Sequence, residues 1–253
     1  MDLGEAALLL AAGVAAGTVN AVAGGGSLVT FPTLLFTGLP PIAANVTNSI
    51  AVFPGYLGSV AGSRADLAGQ RRRVRGLLPT AAAGSAAGAG LLLLTPERAF
   101  ELIVPFLVLA ATATLAFQDR LRRLVGQPHQ LSRRRATGSL HVMVGLASVY
   151  GGYFGAALGV MLVAMIALVL DETLARVSAL KNLASAVVGL VTVVVFALFG
   201  PVEWLSVLVL APATVIGGYG GARLARRLPD TVWKVMIVAF GTVIGVILLI
   251  SAL

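Results

Sequence analysis

Four places in this sequence carry residue types that could hold a ligand. The first is Gly24-Gly25-Gly26-Ser27, just before a short apolar segment. A helix starting there presents free N–H groups and the positive end of its dipole, which suits an anion. Glycine also allows close backbone approach and positive φ, so the triplet could equally be a packing hinge. The second is Lys181, set in an apolar run between Ala179-Leu180 and Leu183-Ala184. An ammonium inside a membrane is costly, normally faces a cavity and has a partner. No carboxylate lies at its depth. Asp171 and Glu172 sit near the rim, where only a snorkelling lysine reaches them. Asn48 and Asn182, with Thr47 beside the first, complete the set. Each amide brings donors and an acceptor, either for a ligand or for a neighbouring helix.

This inventory fits binding of a small anion and offers no catalysis. No nucleophile–base pair appears. His129 and His141 lack metal-ligand spacing, so no metal is expected. There is no phosphate loop and no dinucleotide fingerprint, so no nucleotide cofactor and no ATP-driven pump is encoded.

The elements that must position these residues follow from composition. Hydrophobic residues make up 58% of the 253 and charged residues 11%, with mean hydropathy +0.97. A soluble domain is roughly 45–50% apolar and about 25% charged. The chain therefore reads as an integral membrane protein in a lipid bilayer, which excludes a soluble enzyme, a disulfide scaffold and a disordered tail. There is no cysteine. A net charge of +8 would suggest nucleic acid in a soluble protein. Here the arginines fall in short loops between apolar runs, as membrane topology requires, and no nucleic acid is implied. Met1-Asp2-Leu3-Gly4-Glu5 has no basic region, which argues against a cleaved signal peptide.

About eight long apolar runs follow. The first, 6–38, is broken by the glycine triplet and Pro32. Runs at 41–62, 77–94 and 99–117 come next, then a polar stretch, 118–137. A second broken run, 140–170, carries Gly151-Gly152-Tyr153-Phe154-Gly155, and runs at 174–199, 205–222 and 232–253 follow it. The order repeats. Ala44 to Asn48 lies over Ser178 to Asn182, Leu78-Pro79 over Ala211-Pro212, and Gly84 and Gly88 over Gly217 and Gly221. The predicted division is a first repeat, 1–125, an arginine-rich linker, 126–134, and a second repeat, 135–253. Gly13–Gly17, Gly84–Gly88 and Gly217–Gly221 have the small-xxx-small spacing of close helix packing.

The arginines decide the topology. If each broken run crosses the membrane once, the basic loop at 223–234 falls on the wrong side of the positive-inside rule. If each folds back, the three basic loops, with 15 of the 18 Lys and Arg residues, share the cytoplasmic side. Both termini are then periplasmic. The fold class predicted is an all-α integral membrane protein with two inverted repeats, each opening with a glycine-broken fold-back helical hairpin. Transporters of that architecture bind substrate near the midplane, where helices are broken.

The stretch Val19 to Leu28 through Pro32, then Gly38-Leu39-Pro40 and Ala43 to Asn48, resembles the opening motif of the sulfite exporter TauE/SafE family. Gly200-Pro201-Val202-Glu203-Trp204 and Gly217-Gly218-Tyr219-Gly220-Gly221, before Arg226-Arg227-Leu228-Pro229, resemble its second repeat. The resemblance covers nearly the whole chain. It implies a multi-pass inner-membrane secondary transporter of sulfite or an organosulfonate, without cofactor. The chain departs from the family at Gly155-Ala156-Ala157-Leu158-Gly159, where another glycine cluster is common, and at Lys181, where a small hydroxyl residue is common.

The expected site is Gly24, Gly25, Gly26 and Ser27 as donors, Thr47, Asn48 and Asn182 for hydrogen bonds, and Lys181 for charge. An inside-negative potential favours anion exit by about 2.3 kcal/mol per charge per 100 mV, so export needs no proton relay. A homo-oligomer is compatible with this reading. The rival is a non-transporting membrane subunit that docks a cytoplasmic partner through its arginine-rich loops.

Overall fold

The computed structural model describes residues 2–22, 25–117, 120, 133–170, 172–224 and 230–252. All regular structure among them is helical. The helices are α1 (Leu3–Val22), α2 (Ser27–Phe36), α3 (Pro41–Gly62), α4 (Arg71–Leu94), α5 (Glu97–Ala116), α6 (Arg133–Tyr153), α7 (Leu158–Val169), α8 (Leu174–Phe199), α9 (Trp204–Leu224) and α10 (Asp230–Ala252). A 3₁₀ turn, Arg64–Leu67, joins α3 to α4.

The ends have local causes. Pro41 fills the first position of α3, and Pro96 stands just before α5, where a missing N–H costs nothing. Thr173 caps α8, its Oγ1 accepting from the Arg176 amide. Both broken runs are broken where the glycines stand, between α1 and α2 and between α6 and α7. The expected bounds shift at α4 and α6, which take Arg71–Arg75 and Arg133–Arg135 into their first turns rather than leaving them in loops.

Four helices among the described residues are long and apolar enough to cross a membrane: α1, α4, α5 and α8. Shorter apolar stretches lie in α2, α7, α9 and α10. α3 has the length but carries Asn45, Thr47, Asn48 and Ser49, and its Asn45, Thr47 and Asn48 are buried. Its polar groups are turned toward protein rather than lipid, which makes it an inner helix.

The packing partners are specific. α1 lies on α9, α4 on α6, α5 on α10, and α3 on α8; α3 also meets α9, and α4 meets α8. The small-residue pairs sit at the first two of these crossings. A Cβ on Gly17 would stand 2.1 Å from the Thr214 carbonyl oxygen, and one on Gly217 2.1 Å from that of Val14. On α4, a Cβ at Gly88 would stand 2.0 Å from the Val149 oxygen. These backbones touch, as small-xxx-small spacing predicts. Thr18 Oγ1 adds a 3.1 Å hydrogen bond to the Gly217 carbonyl across the α1–α9 seam.

Candidate functional site

Five helices converge on one small cavity of about 20 Å³. The start of α2 contributes Ser27. The end of α6 and the second break contribute Gly151, Phe154 and Gly155, and α7 begins there at Leu158. α3 and α8 pass it at mid-length, with Ser49, Val52 and Tyr56 on one and Val188, Gly189 and Thr192 on the other. Helical spacing puts each set on one face. Gly189 is required by the crossing itself: a Cβ there would lie 2.7 Å from Phe53 Cδ2 and 3.0 Å from Tyr56 Cδ2.

The lining is polar without being charged. Ser27, Ser49, Tyr56 and Thr192 bring hydroxyls, and the breaks bring backbone. Thr192 Oγ1 donates to the Gly189 carbonyl at 2.9 Å, and Ser49 Oγ to that of Asn45 at 2.8 Å. No carboxylate or cationic side chain is among the described lining residues. Two helices, α2 and α7, begin at this cavity, so the positive ends of two dipoles meet there. The volume suits one water, so a larger ion requires the breaks to part.

Each break is tied down separately. At the first, the Gly26 amide donates to Asn20 Oδ1 at 2.8 Å. A Cβ on Gly26 would stand 2.4 Å from the Ala16 carbonyl oxygen, whereas one on Gly25 meets only side-chain tips, Leu115 at 3.3 Å and Leu28 at 3.8 Å. Neither residue has positive φ, and Gly26 is helical at φ −58° and ψ −31°. The expected need for positive φ therefore does not apply at these two, and closeness is what demands glycine. At the second break Gly155 and Ala157 do take positive φ, 75° and 56°. Tyr150 Oη donates to the Ala156 carbonyl at 2.7 Å, and Asn45 Nδ2 to that of Tyr153 at 2.8 Å. Phe31 of α2 meets Phe154 edge-on at 5.2 Å, so the two breaks touch through their rings.

The residues singled out from sequence are dispersed. Ser27 lines the cavity, and Gly25 and Gly26 adjoin it in sequence. Gly24 lies outside the described residues. Asn48 Oδ1 accepts from Thr30 Oγ1, joining α3 to α2. Thr47 Oγ1 accepts from the Glu203 amide at 3.0 Å and holds the turn before α9. Asn182 Nδ2 donates to the Ser59 carbonyl at 3.2 Å and to Ser63 Oγ at 3.0 Å. Lys181 precedes Val188 by two turns, about 10 Å along α8. Glu172, considered as its snorkelling partner, is paired with Arg73 and Arg176. Ser49, Tyr56, Phe154 and Thr192 line the cavity without having been singled out. Their signal was helical phase: Ser49 and Tyr56 share a face, as do Gly189 and Thr192.

A second, larger pocket of about 290 Å³ opens where α2, α5 and α10 meet, lined by Leu35, Leu39, Val104 and Leu248, with the Arg98–Glu101 pair at its rim. Its arginine is neutralised by its own neighbour, Glu101, at 3.2 Å. The small cavity, with convergent helix starts, is the better ligand site.

Residues 9–248 match the family model described as sulfite exporter TauE/SafE. A Haemophilus influenzae protein named probable membrane transporter protein is 27% identical, over 94% of this chain and 92% of that protein. The Sinorhizobium probable membrane transporter protein ORF9 is 30% identical, over 96% and 92%. The Escherichia coli K12 probable membrane transporter protein YfcA is 27% identical, over 92% and 86%. No solved structure matches the chain. The chain belongs to the sulfite exporter TauE/SafE family, and it is an all-helical, multi-pass membrane protein.

Proposed function

We propose that the chain is a secondary transporter that exports a small anion, sulfite or an organosulfonate, across the inner membrane. The observation that carries this is the convergence of two helix starts, Ser27 of α2 and Leu158 of α7, on one small cavity. The dipoles and hydroxyls there favour negative charge, and no carboxylate opposes it. The anion sits between the two breaks, with Gly24, Gly25, Gly26 and Ser27 as its donors on one side. Thr47, Asn48, Lys181 and Asn182 belong to this site as its supporting frame and approach.

Inversion of the repeats has support in the packing. α1 pairs with α9 while α6 pairs with α4, which is the same pairing with the halves exchanged. α3–α8 and α5–α10 pair each helix with its counterpart. A two-fold axis in the membrane plane would produce this pattern. The halves are 1–125 and 135–253, joined by the linker 126–134. Arg64 follows α3, Arg71–Arg75 open α4 and Arg176 opens α8, all at one end, and we assign that end to the cytoplasm and both termini to the periplasm.

Purified full-length chain in liposomes tests the function. Radiolabelled sulfite, sulfoacetate, taurine, thiosulfate and sulfate are each followed across the bilayer. The expected result is saturable movement of at least one sulfur anion, accelerated by a potential negative on the anion-loaded side. Folded protein that moves none of the five overturns transport and leaves the partner-docking subunit.

A further inference from the structure

We propose that Ser185 is a second contact for the transported anion, a station one helical turn from the cavity on the arginine-bearing side. This rests on the transport reading above. Ser185 precedes Val188, Gly189 and Thr192 by three, four and seven residues. At about 100° per residue its side chain leaves α8 on the cavity-facing side. It is 2% exposed, and its Oγ has no hydrogen-bond partner among the described residues. An unsatisfied buried hydroxyl disfavours folding, and such groups mark places where a ligand or water completes the structure. Its Oγ–H can donate to an anion passing along α8.

The neighbouring groups fit a path. Ser59 and Ser63 continue the face of α3 that carries Val52 and Tyr56 to the cavity. Asn182 reaches across from α8 to both and closes the seam. Lys181 lies on α8 one further turn from Ser185, where its charge favours an approaching anion. The opposite side of the cavity is built differently. There Asn45 leaves a buried acceptor, Oδ1, without a partner among the described residues, and Phe31, Phe100, Tyr153 and Phe154 pack their rings. An anion leaving the cavity meets a donor in one direction, and an acceptor and apolar rings in the other. Loading therefore runs through the Ser185 side.

Sidedness of the apparent affinity tests this. Full-length protein is reconstituted in one known orientation, and KM for sulfite, or for whichever screened anion moves fastest, is measured from each face. Ser185→Ala should raise KM at the arginine-bearing face roughly ten-fold, the loss of one hydrogen bond to a charged group. KM at the other face should stay unchanged, and Ser185→Thr, which keeps the hydroxyl, should restore the wild-type value. Equal KM in wild type and Ser185→Ala at both faces overturns the station while leaving transport standing. An equal rise at both faces overturns it too, because that is the signature of a central-site or folding defect. Folded wild type that moves no anion removes transport and the station together.

Discussion

The two broken runs solve one problem by different means. Both interrupt an apolar stretch so that a short helix can begin at the cavity. At the first break the chain stays right-handed at Gly26 and gains its tightness from contact with α1, through the Asn20 bond and the Ala16 carbonyl. At the second break the chain turns by left-handed residues, Gly155 and Ala157, and is held from outside by Tyr150 and Asn45. One break is shaped by what lies against it, the other by its own dihedrals. A substitution that adds volume should fail at Gly26 by contact, and at Gly155, where φ is 75° and a Cβ would lie 3.0 Å from the Gly151 oxygen, by conformation as well.

The largest effect is expected at Gly26. Its missing Cβ would meet backbone, which cannot swing aside. Gly26→Ala should cost about 1–3 kcal/mol of stability and most of the transport rate. Gly25→Ala, facing side-chain ends of Leu115 and Leu28 rather than backbone, should cost less than half as much. Thermal unfolding in detergent together with the liposome flux measures both. Equal losses at Gly25 and Gly26 would show that close backbone contact is not what demands glycine at Gly26.

Ala157 sharpens the same contrast from the other side. A left-handed residue with a Cβ costs roughly 1–2 kcal/mol. Ala157→Gly relieves that, but adds unfolded-state freedom worth about 0.4–1 kcal/mol and removes a buried methyl worth about 0.8 kcal/mol. The sum should lie within about 1 kcal/mol of zero. An ordinary buried helical alanine would lose about 1.2–1.8 kcal/mol from the last two terms. A measured loss of that size would show that φ at Ala157 carries no strain.

The glycines were a legible sign of where the helices break, because they act locally; Pro32, expected to interrupt the first run as well, lies inside α2 instead. The bounds of α3 and α8 were legible for the same reason, from Pro41 and from Asp171-Glu172-Thr173. The composition of the cavity was not. The polar half of α3, residues 43–52, is packed among neighbouring helices, so it has no lipid-facing stripe to fix its rotation. Asn45, Thr47, Asn48 and Ser49 point in four directions, toward the Tyr153 carbonyl, the Glu203 amide, Thr30 and the cavity. Each polar side chain had an equal claim from sequence, and tertiary neighbours chose among them. Lys181 drew attention by its charge, whereas the hydroxyl one turn nearer the cavity, Ser185, is chemically plain and could be found only from its burial.

The smallest effect expected lies where the halves meet at the arginine-bearing end. Glu172, between α7 and α8, accepts from Arg73 of the first half and pairs at 2.8 Å with Arg176 of its own. The Arg73 hydrogen bond and the charges of both arginines hold its carboxyl below the usual glutamate range, against the opposing effect of its burial. Because the folded value is lowered, the contribution is complete above the unfolded value of about 4.3 and is lost as pH falls through the lower folded one. The arginines are 39% and 33% exposed, so water and salt screen the pair. Its contribution should stay below about 1 kcal/mol. Glu172→Gln should therefore lower the unfolding temperature slightly at pH 7, and the gap from wild type should close as the pH is taken below 4.3. High salt at pH 7 should narrow the same gap. A gap that persists in acid would mean that Glu172 acts by shape rather than charge. The junction between the halves would then depend on packing, as the first break does.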